Sequence, residues 1–186
     1  VNQFEYHQGD ENRRPDIMLF VNGIPVGIIE LKNPTDENAT ISDAHDQITI
    51  RYRRDIPSLL KYCSLAVISD GSNSRLGTIF SPFEYFYAWK KVENDDNPAK
   101  ALDQLRTLVK GALSPSRLCE ILRDFVYYPD TNDKEDKELE IVCRYPQFFA
   151  ARKLRNHVIN HLRSVGGDGK GGTYFGATGC GKTYTM

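Results

Sequence analysis

The feature that most constrains this chain is a glycine-rich stretch near its C-terminus, Gly176-Ala-Thr-Gly-Cys-Gly-Lys-Thr183. It matches the full G-x-x-x-x-G-K-[ST] pattern of a phosphate-binding loop. Such a loop needs glycines where the backbone approaches an anion, amide groups at a helix N-terminus, a lysine and a hydroxyl. The β-branched and aromatic run at residues 172–175 predicts the preceding strand. The pattern predicts an ATP site; the alternative interpretation is a glycine-rich turn.

Length and composition bound the rest of the chain. Its 186 residues are 40% hydrophobic and 26% charged, which fits one complete domain and part of a second. Because a P-loop ATPase also needs a second acidic motif, and none follows Met186, we expect a fragment of a longer protein. No apolar run approaches a membrane span. Four scattered cysteines without a CxxC pair predict reduced thiols in a cytoplasmic protein.

The net charge of −1 predicts no general attraction to nucleic acid, so DNA contacts have to come from local basic patches such as residues 51–54 and 153–155. Hydrophobic periodicity predicts a mixed α/β domain and the opening of a second α/β domain. We predict strands over residues 4–6, 17–21, 26–32, 65–68, 76–80 and 85–89, and helices over 41–52, 98–113, 115–125 and 147–163. The wholly apolar strand at 65–68 predicts a sheet covered on both faces.

An acidic hairpin contains the second candidate site. Pro15-Asp16 opens its first strand, Glu30-Leu-Lys32 closes its second, and Asn22-Gly23 predicts the turn between them. Two carboxylates can hold a divalent metal for phosphodiester hydrolysis, and a nearby lysine can position water or stabilise charge. Glu30 and Lys32 lie on the same face of a strand. The alternative interpretation is a structural ion pair at the strand end.

The register of this hairpin decides whether the carboxylates can meet. A strict two-residue turn would place Asp16 and Glu30 on opposite faces. Their convergence needs one extra residue in a strand, and Gly27 beside Pro25 is a natural place for a bulge. We therefore expect a bulge near residues 25–27, or a longer loop, that brings Asp16 level with Glu30.

The combination of an acidic hairpin with a phosphate-binding loop resembles the motor-nuclease (R) subunit of type I restriction endonucleases. The resembling stretches are Arg13-Arg-Pro-Asp-Ile17, Asn22-Gly-Ile-Pro25, Ile29-Glu-Leu-Lys-Asn-Pro34, Arg54-Asp-Ile-Pro57, Val67-Ile-Ser-Asp-Gly71 and the loop at 176–183. The resemblance implies an α/β protein: a PD-(D/E)xK restriction-endonuclease-like mixed sheet flanked by helices at 1–125, a charged linker at 126–140, and the start of a RecA-like helicase or translocase domain at 141–186.

The resemblance also implies an activity. The family consists of ATP-dependent, type I site-specific deoxyribonucleases, which translocate and cut double-stranded DNA using Mg²⁺ and ATP. They work with modification (methyltransferase) and specificity subunits. Two other functions remain open from the sequence: a nuclease-like scaffold that docks partner subunits or DNA without cutting, and a DNA repair or recombination motor with the same two modules.

Roles for individual residues follow from the resemblance. Asp16 and Glu30 would bind the catalytic Mg²⁺, and Lys32 would serve the transition state. A supporting glutamine and tyrosine lie four residues apart in the family, whereas Gln47 and Tyr52 lie five apart; we expect either a local helix distortion or a contribution from only one of them. The nucleotide site would consist of Gln147 at the adenine and Gly176, Thr178, Gly179, Cys180, Gly181, Lys182 and Thr183 at the phosphates, with Thr183 also binding Mg²⁺.

Overall fold

The computed structural model describes residues 1–33, 35, 40–129, 139–176 and 181–185, with only the main chain at 101, 183 and 184. The described residues fall into two units, Val1–Val142 and Cys143–Met186, which we call unit 1 and unit 2 and describe separately. Within the part of the chain that is described, no helix is both long and apolar enough to span a membrane.

Unit 1 is a mixed α/β structure. Its strands are β1 (Tyr6–Gln8), β2 (Glu11–Arg13), β3 (Ile17–Val21), β4 (Ile24–Leu31), β5 (Leu65–Ser69), β6 (Ser74–Gly77), β7 (Val126–Tyr127) and β8 (Ile141–Val142). The central sheet has the order β3-β4-β5-β6, while β1 pairs with β2 and β7 with β8. In the central sheet β4 and β5 are parallel, and the other neighbours are antiparallel. The predicted mixed sheet flanked by helices is therefore confirmed.

Helices cover this sheet. They are α1 (Ile41–Asp46), a π-helix (Gln47–Tyr52), α2 (Arg53–Asp55), α3 (Pro57–Leu60), α4 (Gln104–Ala112) and α5 (Pro115–Asp124), with short 3₁₀ turns at Phe83–Tyr85 and Ala101–Asp103. The first four form the crossover that the parallel β4–β5 pair requires. All five residues of β5 are buried. Since successive side chains point to opposite faces, both faces of the sheet are covered, as the apolar sequence of β5 predicts.

The hairpin of β3 and β4 contains the expected bulge. Its turn uses positive φ angles at Asn22 (+50°) and Gly23 (+82°), which is the geometry of a type I′ hairpin turn. Phe20 pairs with Pro25, but Leu19 pairs with Gly27, so one extra residue of β4 lies between these pairs. A Cβ at Gly27 would lie 3.3 Å from the Leu19 side chain. The bulge shifts the register by one residue.

The helical crossover begins at a capped helix end and packs on the sheet. Thr40 caps α1: its hydroxyl accepts from the Asp43 amide, and the Asp43 carboxylate accepts from the Thr40 amide in return, a reciprocal capping box. Ile48 of the π-helix is fully buried against sheet residues that include Met18 and Ile28. Burying an aliphatic side chain of this size contributes about 1.5–3 kcal/mol, so this packing fixes the π-helix over the sheet.

Several predicted boundaries in unit 1 are wrong. The first strand lies at Tyr6–Gln8 instead of residues 4–6, and β6 ends at Gly77 although a strand was expected to residue 80. Only one bridge, between Leu76 and Tyr87, remains of the strand expected at 85–89. The expected helix at 98–113 is α-helical only from Gln104. In these stretches the local side-chain pattern favours regular structure, but the position of an element also depends on strand pairing and packing.

Unit 2 consists mainly of one helix, α6 (Tyr145–His161), followed by 3₁₀ turns at Arg163–Val165 and Lys182–Thr185. The strand expected at residues 172–175 is not formed. A strand needs a neighbour for its backbone groups, and no described residue of unit 2 pairs with this stretch. The RecA-like domain therefore stays a prediction, as do the boundaries proposed at residues 125 and 140.

Candidate active site

The bulge brings Asp16 and Glu30 together at one edge of the sheet. Because Ile17 pairs with Ile29, the next pair in the register is Asp16 with Glu30. Asp16 Oδ2 accepts a hydrogen bond from the Leu31 amide at 2.9 Å, which fixes the first carboxylate against β4. Opposed residues of an antiparallel pair share a face, so the two carboxylates lie on the same face of the sheet.

Glu30 is a carboxylate inside the core, only 3% exposed. The pKa of its carboxyl is raised to about 7, mainly by burial and then by the neighbouring charge of Asp16, and Lys32 offsets part of this rise. A buried carboxyl of this kind is costly to ionise unless a positive charge lies beside it. Since Lys32 compensates only part of this cost, an additional cation would stabilise the ionised pair.

Gln47 connects the members of this site. Its Oε1 accepts from Lys32 Nζ at 2.6 Å, and its Nε2 donates to Glu30 Oε1 and lies 2.6 Å from the Tyr52 hydroxyl. Lys32 Nζ also lies 3.5 Å from Glu30 Oε1. The Tyr52 hydroxyl donates to the other oxygen of Glu30 at 3.4 Å. A single amide therefore orients the lysine, the tyrosine and the buried carboxylate.

The π-helix explains how two residues five apart can share this site. In an α-helix, 3.6 residues per turn would place Gln47 and Tyr52 about 140° from each other. A π-helix replaces the usual bonds with i→i+5 bonds, and it spans the segment from Gln47 to Tyr52. The expected local distortion is confirmed, and both side chains reach Glu30. Burial raises the pKa of Tyr52 to about 12, so its hydroxyl stays protonated and can donate.

A second buried carboxylate, Asp55, holds this helix in place and was not singled out from the sequence. Its side chain is 2% exposed and lies 2.6 Å from both Arg13 Nη2 and Arg54 Nε. The hydrogen bonds from Arg54, and then those from Arg13, lower the pKa of Asp55. Arg13 belongs to β2, so the ion pairs join the small hairpin to the helix end three residues after Tyr52. The sequence does contain one signal for this ion pair, because Arg54 directly precedes Asp55.

The donor set suits a small hard cation. In the part of the chain that the structure describes, no group of three or more His, Cys, Asp or Glu side chains could hold a metal ion. Mg²⁺, however, keeps several waters and commonly takes one or two carboxylates together with substrate phosphates. Asp16 and Glu30 match this smaller requirement, and the uncompensated charge at Glu30 favours it.

The nucleotide-site residues fall in unit 2, where the structure places only some of them. Three of the predicted phosphate-binding residues lie outside the described residues, namely Thr178, Gly179 and Cys180. For Thr183 only the main chain is described, so its predicted contact with Mg²⁺ stays a prediction. Gly176, Gly181 and Lys182 are described and can be compared with Gln147.

Gln147 lies next to the end of the phosphate-binding loop. Its Nε2 donates to the Gly181 carbonyl at 3.0 Å, while its Oε1 accepts from the Arg144 amide at 2.8 Å. Lys182 Nζ donates to the Gly176 carbonyl at 2.8 Å. The structure thus brings together Gln147 and both described ends of the loop; their contacts with a nucleotide stay a prediction.

Comparison with known proteins finds related sequences for this chain. A family model described as the N terminus of the type I restriction enzyme R protein matches residues 1–85, the range that contains the acidic hairpin and the π-helix. The HindI endonuclease subunit of a type I restriction enzyme in Haemophilus influenzae is 32% identical over 189 residues, which are 100% of this chain and 18% of that protein.

A protein of Methanocaldococcus jannaschii, named as the MjaIXP endonuclease subunit of a type I restriction enzyme, is 32% identical over 210 residues, or 100% of this chain and 19% of that protein. This chain therefore spans less than a fifth of the length of these curated relatives. These matches lead to one conclusion: the chain belongs to the R-protein family of type I restriction enzymes.

Proposed function

We propose that unit 1 is a Mg²⁺-dependent endonuclease that cuts double-stranded DNA. The observation that supports it best is the meeting of Asp16, Glu30, Lys32 and Gln47 at one edge of the sheet. Asp16 and Glu30 would hold the metal. When bound, Mg²⁺ would activate a water molecule and stabilise the charge that develops on the phosphate.

The other residues of the site would prepare it for the phosphodiester. Lys32 is held by Gln47 with its ammonium group beside Glu30, from where it can stabilise negative charge on a nearby phosphate. Tyr52 and Gln47 would keep the Glu30 carboxylate in one orientation, so that its oxygens are prepared for a cation. Such outer partners commonly affect metal affinity or activity by about 10–100-fold.

We further propose that unit 2 contributes to ATP binding in a longer protein that translocates DNA. The G-x-x-x-x-G-K-[ST] pattern at 176–183 supports this role, with Lys182 at the phosphates, Thr183 at a second Mg²⁺ and Gln147 at the adenine. The relatives are named as endonuclease subunits of type I restriction enzymes, which supports modification and specificity subunits as partners.

Plasmid cleavage by the full-length protein with its partner subunits, Mg²⁺ and ATP tests this proposal. Asp16→Ala should abolish cleavage and leave ATP hydrolysis intact, because Asp16 lies in the acidic hairpin. Lys182→Ala should abolish both, because translocation would need ATP. Asp10→Ala removes an exposed carboxylate of the same unit and should cleave like the wild type. If Asp16→Ala cleaves at the wild-type rate, the acidic hairpin has only a structural role. Unit 1 would then serve to dock partner subunits or DNA.

A further inference from the structure

A groove on unit 1, separate from the acidic hairpin, has more cations than carboxylates among its lining residues. It has a volume of about 480 Å³ and lies between α4 and the loop that precedes it. Its charged lining residues are the cations Lys91, Lys100, Arg106 and Lys110 and the carboxylates Asp96 and Asp103. The cations outnumber the carboxylates, so the groove is locally positive although the chain as a whole has a net charge of −1.

The spacing on α4 makes this groove a continuous surface. Asp103, Arg106, Thr107 and Lys110 all line it, and they follow one another at i, i+3, i+4 and i+7. Residues three and four apart are neighbours on one helix face, about 5–6 Å apart at Cβ. Arg106 and Lys110 are both exposed. The helix therefore presents a row of polar and cationic groups along one wall of the groove.

Three of these cations have no ion pair with any other described residue: Lys100, Arg106 and Lys110. The arginines that are paired elsewhere in unit 1 provide a contrast, since Arg54 contacts Asp55 and Arg123 contacts Asp124. Lys91 Nζ, on the opposite wall, donates to the Asn94 carbonyl. Unpaired cations gathered around one concavity favour an anionic ligand, because each can form a charge-assisted hydrogen bond there.

A short chain of contacts connects this groove to the edge of the sheet that holds the candidate active site. The Lys32 amide donates to the Ser69 carbonyl at 2.7 Å, Ser69 pairs with Ser74, and the Ser74 amide donates to Gln104 Oε1 at 3.2 Å. Gln104 is the first residue of α4. Neighbouring strands are about 4.7–4.9 Å apart, so Ser74 lies roughly 10 Å from Lys32, and the Gln104 side chain joins Ser74 to the start of α4.

We propose that this groove binds the phosphate backbone of double-stranded DNA next to the position where unit 1 cuts it. The inference rests on the proposed nuclease function, since the contacts that lead to Lys32 are what favour DNA over an acidic protein. Each DNA strand presents one charge per about 3.4 Å of axis, so cations about one helical turn apart on α4 can contact nearby phosphates. Such contacts position the duplex and read no sequence.

Fluorescence anisotropy with a short labelled duplex of random sequence tests the groove, with EDTA present to prevent cleavage. We compare the wild-type chain with the triple variant Lys100→Ala, Arg106→Ala, Lys110→Ala over a series of salt concentrations. The variant should lower the slope of log Kobs against log salt by about 3, roughly one unit for each lost phosphate contact, and should weaken binding at low salt more than about tenfold.

A charge-matched variant with Lys61→Ala, Arg123→Ala and Lys170→Ala provides the control and should keep more of the slope than the groove variant. Lys110→Arg keeps the charge and should bind like the wild type. Equal slopes for the groove variant and the control would overturn the proposal. So would a groove variant that binds DNA normally but no longer binds the modification subunit, because the groove would then be a protein-docking surface.

The same variants separate this inference from the proposed nuclease. If the groove variant loses DNA binding while Asp16→Ala still cuts plasmid, the groove binds DNA and the nuclease assignment fails. If Asp16→Ala is inactive while the groove variant binds DNA with the wild-type slope, the nuclease stands and the groove assignment is wrong.

Discussion

The acidic hairpin in unit 1 and the phosphate-binding loop in unit 2 are built in different ways. In the hairpin, Asp16 and Glu30 belong to a paired strand edge, and Gln47 reaches them from a helix that packs on the same sheet. In unit 2, Lys182 contacts a carbonyl of its own loop, and Gln147 contacts the carbonyl of Gly181. The first site depends on packing between distant segments, whereas the phosphate-binding pattern of the second is one local run of sequence at 176–183, which Gln147 contacts from outside that run.

This difference explains why the phosphate-binding loop is easier to recognise from sequence than the acidic hairpin. The loop at 176–183 is specific as a pattern because the backbone itself would bind the phosphate. The acidic hairpin is a weak pattern, since a proline-aspartate pair and a Glu-x-Lys triplet are common. Its specificity comes from a bulge and a π-helix that place Asp16, Glu30, Gln47 and Tyr52 together. Both irregularities are expected at functional sites.

The largest expected effect comes from replacing one glutamine in each unit, Gln47 in unit 1 and Gln147 in unit 2. The two substitutions test whether the two sites act as separate parts of the enzyme. Gln47→Ala removes the amide that joins Lys32, Glu30 and Tyr52, so plasmid cleavage should fall about 100-fold while ATP hydrolysis continues. Gln147→Ala is the matched change in unit 2 and should reduce ATP hydrolysis, and cleavage with it, because translocation would need ATP. Cleavage and phosphate release are measured on the same assembled enzyme. A Gln47→Ala variant that cuts normally would show that the amide is dispensable.

The buried charge of Glu30 predicts a pH-dependent stability. Its pKa rises from 4.5 to about 7 on folding, so between these values the folded chain binds more protons than the unfolded chain. The contribution of Glu30 to the free energy of unfolding is therefore most favourable below pH 4.5. It becomes less favourable as the pH rises to about 7. Glu30→Gln should remove this loss and stabilise the chain at pH 8 by about 3 kcal/mol.

Urea unfolding in EDTA measures this effect at a series of pH values. The stability difference between Glu30→Gln and the wild type should be small near pH 4.5 and grow towards pH 8. Glu84→Gln, which changes an exposed glutamate, should show no such trend. If the stability difference is the same at every pH, Glu30 does not titrate in this range. The inference that its charge is uncompensated at the hairpin would then be wrong.

The smallest expected effect concerns the Tyr52 hydroxyl. Tyr52→Phe keeps the ring in the core and removes one hydrogen bond to Glu30 and one contact with Gln47. A net hydrogen bond is worth about 1 kcal/mol, so cleavage should fall about fivefold. Tyr62→Phe, at a side chain that is 56% exposed, is the control. Equal rates for the two variants would mean that Gln47 alone orients the carboxylate.

Much of unit 1 could be predicted because its local signals agree with its tertiary structure. The Asn22-Gly23 turn and the apolar strand β5 each follow from residue chemistry at one place in the chain. Short strands were harder to predict: the expected strand at 85–89 is reduced to a single bridge at Tyr87, and residues 172–175 form no strand. A strand exists only where a partner strand is available.

The sequence by itself determined the family resemblance, the hairpin with its turn, and the residue types of both candidate sites. These are local properties, set by turn chemistry, hydrophobic pattern and motif spacing. Only the tertiary structure decided that Asp16 faces Glu30, that Gln47 and Tyr52 both reach it, and that Glu30 is buried enough for its pKa to rise to about 7. A register shift, a helix distortion and desolvation all depend on residues that are distant in the chain, and packing brings them together.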